Sequence, residues 1–303
     1  MTKAFTTILL IGEGNLTKQL GLRLLRHNHS VWALISSDGL APGFARLGIN
    51  PLAADLTEPF LAKMAVANAD VIFHLAGRRQ HGMSVPEPAD LKGLRNILSV
   101  IPRGAIKRYI YESSLAVYDG AAPDQGSPGA GIDEKAFCRP KSSTGRIHLE
   151  AEREILARFS EGGFPGITLR TGSVYHAAPG ILDQVRRGAY QVPADLPPHL
   201  HRIYLEDYLD ILIAAMEKGR PGQTYNVVDQ EPHTPAEYFN HMATMLGVSP
   251  LIPPGPASGA TPAVRYQNEK LLREFGVTLR CPTYREGLQD SLQRAEELKT
   301  REA

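Results

Sequence analysis

The residues Gly12-Glu13-Gly14-Asn15-Leu16-Thr17 follow an apolar run, "TTILLI", and open a segment carrying Leu16, Leu20, Leu24 and Leu25 at helical spacing. A glycine turn between a strand and a helix brings backbone N–H groups and the positive helix end up to a diphosphate. Gly12, Gly14, Asn15, Leu16 and Thr17 are therefore expected to hold a dinucleotide. The third position of the pattern is Thr17 rather than glycine, and its β-carbon is expected to push helix and strand slightly apart. The second strand should end on the group that reads the adenosine ribose, an acid favouring NAD and an arginine NADP. Ser36-Ser37-Asp38 stands there, hydroxyls first and the acid late. Ser36 and Ser37 could hydrogen-bond a 2′-phosphate with Arg46 as counter-charge, which inclines the reading to NADP, with NAD as the alternative. His148 offers an imidazole able to act as acid or base near pH 7. Arg78, Arg79 and His81 follow "HLAG", where they either hold an anionic group or form a solvated loop.

These groups need a scaffold, and the pattern of the chain describes one. Apolar β-type runs, "TTILLIGEG", "SVWALIS", "ADVIFHLAG" (69–77), "IKRYIYESS" (106–114) and "GITLRTGSVY" (166–175), alternate with helical stretches. Strands buried on both faces with helical crossovers imply an α/β fold, a Rossmann-type doubly wound parallel sheet with a smaller C-terminal substrate-binding lobe. The expected division is 1–172 for the NAD(P)-binding domain and 173–303 for the lobe, with 202–228 returning to the main sheet as helix 205–219 and strand 223–229. Dense Pro and Gly in "VPADLPP" and "PLIPPGPASGATP" mark the lobe as irregular. The charged end, "QDSLQRAEELKTREA", is a predicted helix, and Glu150, Glu152 and Arg153 belong to a charged, solvated helix face.

Across 303 residues, 33 Lys and Arg balance 32 Asp and Glu, and no basic block interleaves with aromatics, so no nucleic-acid partner is expected. No apolar run reaches the ~18 residues that would span a bilayer or reads as a signal peptide. The expectation is a cytoplasmic protein with a small-molecule substrate and no membrane association. Cys138 and Cys281 lack metal-ligand spacing, and no metal is expected.

Together these segments resemble the extended short-chain dehydrogenase/reductases, the NAD-dependent epimerase/dehydratase family. "ADL" (54–56) is similar to the element that contacts adenine, implicating Asp55 and Leu56, and "VIFHLAG" (71–77) to the strand end flanking the cofactor, implicating Leu75, Ala76 and Gly77. "YIYESSLAVYDG" (109–120) looks like the strand that delivers the family's catalytic Ser or Thr, here Ser114. "RIYLEDYLDIL" (202–212) and "NEKLLREFGVTLRCPTYREGL" (268–288) resemble its later elements. The resemblance implies oxidoreductase or epimerase chemistry on a small polar, possibly sugar-derived molecule, and dimerisation through the two helices flanking the site.

The departure falls at the chemistry. The family carries a Tyr and, one helical turn on, a Lys, which share one helix face. In "STGRIHLEAE" Thr144 and His148 take those places. An aliphatic hydroxyl ionises far less readily than a phenol of pKa ~10, so Thr144 does not simply replace it. The pattern resembles an atypical branch of the family that also lacks this Tyr. His148 could supply the proton, contact the nicotinamide ribose, or be an incidental residue of the helix. Tyr118 could donate a proton or merely pack, and Tyr175 and His176 sit where relatives close over the nicotinamide. A literal Tyr-x-x-x-Lys, Tyr266 to Lys270, is expected to serve packing. The alternative function is a non-catalytic NAD(P)-binding sensor or scaffold; a core that has lost the cofactor is a third reading, supported only by Thr17.

Overall fold

After Thr7, every residue of the first strand, Thr7–Ile11, is apolar, so it can be buried on both faces. Ile8 and Leu10 enter one core, Leu9 and Ile11 the opposite one, following the two-residue repeat of a strand. The computed structural model describes residues 6–75, 78–80, 82–120, 131–253 and 264–302. Its strands are β1 (Thr7–Ile11), β2 (Ser30–Ile35), β3 (Asn50–Ala53), β4 (Val71–His74), β5 (Arg78–Gln80), β6 (Met83–Val85), β7 (Arg108–Ser114), β8 (Gly166–Thr171), β9 (Ser173–Tyr175), β10 (Arg202–Tyr204) and β11 (Thr224–Val227). Its helices are α1 (Asn15–Arg26), α2 (Ala41–Ala45), α3 (Pro59–Val66), α4 (Pro88–Val100), α5 (Ser143–Gly162), α6 (Pro179–Arg186), α7 (Leu205–Lys218), α8 (Pro235–Met245), α9 (Glu269–Phe275) and α10 (Tyr284–Glu302).

Seven strands form one parallel sheet in the order β11-β8-β7-β4-β1-β2-β3. The chain runs outward from β1 to β3, then crosses back to β4, so the order reverses between β1 and β4. Such a reversal opens a crevice at the carboxyl ends of the strands. Leu16, Leu20 and Leu24 of α1 pack on one face with Tyr208, Leu212 and Ala215 of α7 and Phe275 of α9. Ala62 and Val66 of α3, Leu94 and Ile97 of α4, and Ala151 and Ile155 of α5 cover the other. A separate cluster around Tyr175, Tyr204, Tyr238, Phe239 and Tyr284 forms the core of the C-terminal lobe.

Three features differ from the sequence expectation. The edge strand β3, "NPLA", was not foreseen: Pro51 lacks an N–H, which only an edge tolerates, and the strand is just four residues long. The run 166–175 is two strands, broken at Gly172, where the N–H of Gly172 bonds Val227 of the main sheet and that of Ser173 turns to His201. β9 therefore pairs with β10 in a sheet of their own, while β11 joins the main sheet beside β8. After β4 comes an antiparallel β5–β6 hairpin, also unforeseen. Among the described residues no helix is long and apolar enough to cross a membrane, and Cys138 and Cys281 are free thiols.

Candidate active site

At the carboxyl end of β1, Gly12 takes φ +143°, a conformation L side chains rarely adopt. A β-carbon there would lie 2.9 Å from the Leu75 carbonyl and 3.0 Å from the Thr17 hydroxyl. Gly14 caps the start of α1 with no side-chain bond, and a β-carbon on it would meet nothing within 4 Å. The first turn of α1 contains no acid, and a helix start leaves its first N–H groups without intrahelical partners. Asn15 is exposed, whereas Leu16 and Thr17 are buried, Thr17 at 2 % exposure. The Thr17 side chain thus lies beneath Gly12 and does not block the turn. The close helix–sheet approach is supplied one turn later by Gly21, where a β-carbon would reach Ile49 at 2.4 Å.

The neighbouring loops frame this turn. Leu75 is buried and its N–H bonds the Ile11 carbonyl, which ties the end of β4 to β1. Ala76, Gly77 and His81 lie outside the described residues, as do the side chains of Arg78 and Arg79. The exposed Asp55 carboxylate accepts the Thr57 N–H at 2.8 Å, and Leu56 packs beside Gly93 of α4. Ser36 and Ser37 are exposed at the end of β2. Arg46 turns away, its Nε donating to the Pro42 carbonyl at 3.1 Å.

At the end of β7, Ser114 is 1 % exposed, and its Oγ accepts the Ala116 N–H at 3.2 Å, capping the 3-10 turn Leu115–Tyr118. The start of α5 seats on that turn because residue 145 is glycine: a β-carbon would meet the Ala116 carbonyl at 2.3 Å. Asp119 accepts the N–H groups of Lys141 and Ser142, tying the approach to α5 to the same turn. Thr144, in the first turn of α5, is half-buried.

The other expected catalytic side chains are placed differently. His148 is 0 % exposed and packed inside. Its Nδ1 lies 2.9 Å from the Tyr111 hydroxyl, and its Nε2 faces the Ser84 carbonyl on β6 at 3.5 Å. A carbonyl only accepts, so this geometry fits an imidazole protonated on Nε2 that accepts from Tyr111. Next to it, His74 is hydrogen-bonded to Tyr109 at 2.6 Å, and burial, reinforced by His148, lowers its pKa to about 3. Tyr118 is 1 % exposed: its hydroxyl is 2.9 Å from Asn226 Oδ1 and accepts from Arg170 at 2.5 Å. Burial pushes that phenol above its usual range. Its place is in a buried network with Arg170 and Asn226. Glu152 belongs to the same network, not to a solvated face: it is 7 % exposed, accepts from Ser113 at 2.5 Å and pairs with Arg170 through Nε (3.0 Å) and Nη2 (2.7 Å). Glu150 does lie outside, paired with Arg95.

Tyr175 is buried in the lobe core, its hydroxyl donating to the Thr283 carbonyl. His176 lines a charged groove of about 850 Å³ with Arg23, Glu206, Asp210 and Arg294. Lys270 donates to Gln223 and Thr224 and covers the Tyr225 ring, a packing role. Sequence reasoning missed Tyr111 as the partner of His148, and His74 packed against Tyr111. The signal was the alternation Tyr109, Tyr111 along β7 with His74 opposite Tyr111 in register on β4.

Comparison with known proteins matches this framework. The chain is 23% identical to a 4-hydroxy-2-methyl-3-oxo-4-farnesyl-3,4-dihydroquinoline-1-oxide ketoreductase of Stigmatella aurantiaca, over 90% of this chain and 83% of that one. It is 24% identical to a 2-alkyl-3-oxoalkanoate reductase of Stenotrophomonas maltophilia, over 79% and 76% of the two chains. Among solved structures, dTDP-glucose 4,6-dehydratase of Bacillus anthracis in complex with NAD superposes with a TM-score of 0.76, at 18% identity, over 96% of this chain and 97% of that one. These relatives and the open glycine turn place the protein among NAD(P)-dependent oxidoreductase-type enzymes. Residues 8–228, spanning β1 to the end of β11, match the NAD dependent epimerase/dehydratase family, and the chain belongs to it.

Proposed function

We propose that the protein binds NAD(P) across the β1–β4 crevice and exchanges hydride with a carbonyl or alcohol carbon of a small polar substrate, a sugar derivative being one class. The observation that carries the reading is the Gly12–Gly14 turn: backbone N–H groups at an uncapped helix start, with open space at Gly14 and Thr17 withdrawn beneath it. A diphosphate fits such a place. When bound, the nicotinamide supplies or takes the hydride. Ser114 Oγ accepts a backbone N–H, which leaves its own proton to be donated to the substrate oxygen, and Thr144 on the first turn of α5 is the second hydroxyl assigned to that oxygen. Neither hydroxyl ionises near neutral pH, so the two position the oxygen while the proton is drawn from water through them.

The test is a fluorescence titration with NADH and NADPH, followed by hydride-transfer assays over carbonyl and sugar substrates. Saturable binding is expected, and Ser114→Ala should lower kcat/KM by roughly a hundredfold, as loss of one donor to a developing oxyanion does. Unchanged turnover in Ser114→Ala and Thr144→Ala would overturn the assignment. The engagement of His148 with Tyr111 and of Tyr118 with Arg170 and Asn226 favours a second reading, a non-catalytic cofactor-binding sensor or scaffold. Coenzyme binding without turnover of any carbonyl would establish that one. A homodimer through α4 and α5 extends the proposal, supported by Leu156 lying 51 % exposed on α5.

A further inference from the structure

We infer that Glu13 makes the cofactor site selective for a coenzyme with a free adenosine 2′-hydroxyl, NAD rather than NADP; this rests on the cofactor reading above. The middle residue of the glycine turn reaches across to the next strand: Glu13 Oε2 accepts the N–H of Ser36, at the end of β2, at 2.9 Å. That strand end is where a dinucleotide fold reads the adenosine ribose, normally with an acid placed some 20 residues after the glycines. No acid stands at Ser36 or Ser37, but the Glu13 carboxylate occupies the place from the other side. Glu13 is exposed, and its remaining oxygen is free to accept a ribose hydroxyl.

A 2′-phosphate brings about −1.5 to −2 charges and would sit against this carboxylate. Among the described side chains, the cations nearest the turn are engaged elsewhere. Arg46 is folded onto the Pro42 carbonyl, and Lys18 lies over the Phe44 ring with its Nζ 5.2 Å from the centroid. Asp38 follows in the 3-10 turn, and Glu13 helps to raise the pKa of Asp90 at the start of α4, after burial and Glu87, so among the described side chains around the turn acids outnumber cations. The serines that suggest a phosphate site by sequence therefore stand beside a carboxylate that rejects one.

Isothermal titration of the full chain with NAD and NADP, in both redox states, tests the assignment. The wild type should bind NAD at least about tenfold more tightly, a difference of about 1.4 kcal/mol. Glu13→Gln should bring the two affinities within about threefold, and Glu13→Lys should invert the preference. Raising the salt should narrow the wild-type ratio, because the repulsion is exposed to screening. Arg46→Ala should leave the ratio unchanged. Equal affinities in the wild type, or an unchanged ratio in Glu13→Gln, would overturn the role of Glu13 while leaving the cofactor reading standing. Binding of neither coenzyme would remove both.

Discussion

The two ends of the crevice are built on opposite principles. At the Gly12–Gly14 turn the groups offered to the crevice are backbone amides, Thr17 is buried, the space at Gly14 is open, and one exposed side chain, Glu13, reaches across to Ser36. At α5, Thr144 is half-buried and His148 fully buried, surrounded by paired polar groups: Tyr111 with His148, Glu152 with Arg170 and Ser113, and Arg170 with Tyr118. Affinity for a dinucleotide survives changes of side chain because the backbone supplies it. Proton transfer does not, because it depends on one ionisable group at one atom. The open end can therefore persist while the other end becomes part of the core.

The sharpest way to break that comparison is to cut the buried network. Removing one partner of a buried ion pair leaves an uncompensated charge, so Arg170→Ala should cost about 3–5 kcal/mol in urea unfolding. The double change Glu152→Leu with Arg170→Met should be far milder. Coenzyme affinity in whatever variant remains folded should match the wild type; a large loss would mean the two ends are one unit.

At the open end, Gly12→Ala forces a β-carbon into a strained φ and onto the Leu75 carbonyl. It should cost roughly 1–3 kcal/mol and weaken coenzyme binding more than any change on α5, as calorimetric titration would show.

His148→Phe separates burial from chemistry. Loss of the Tyr111 partner should lower stability by about 1–3 kcal/mol, with coenzyme affinity unchanged. A fall in kcat without any fall in stability would return His148 to a catalytic role.

The pH response offers a smaller and more specific check. His74 has its pKa lowered from 6.5 to about 3 in the folded protein, mainly by burial, and His201 and His233 are lowered to about 4. Between those values and 6.5 the unfolded chain binds more protons. Their contribution is therefore full above pH 6.5 and is lost as the pH falls toward 3 or 4. Each such group adds a slope of about 1.4 kcal/mol per pH unit within its window. Buried acids with raised values, Asp229 foremost, oppose this slope, so the informative measurement is the difference between wild type and His74→Gln. The variant should show the flatter dependence between about pH 4 and 6.

Much of the scaffold could be read from one dimension. Each of β1, β2 and β4 is a largely apolar run whose alternate residues must find two cores, and the leucines of α1 repeat at the pitch of a helix. The helix 205–219 was read almost to the residue, because its apolar stripe and Gly219 are both local signals. The β3 edge and the break at Gly172 escaped because neither is decided locally: one depends on β2 offering a free side, the other on Val227 and His201 competing for successive N–H groups.

What the sequence determined by itself was the glycine turn between a strand and a helix, and the absence of the Tyr and Lys from α5, since residue types at fixed spacing do not wait on folding. Only the tertiary structure decided which polar side chains face the crevice. Glu152, His148 and Tyr118 carry chemistry-bearing groups, yet their positions depend on Arg170, Tyr111 and Asn226, which lie 18, 37 and 108 residues away along the chain. A polar group leaves water only where such a partner meets it, and that meeting is made by the packing of β7, β8 and β11 against α5 and the turn after Ser114.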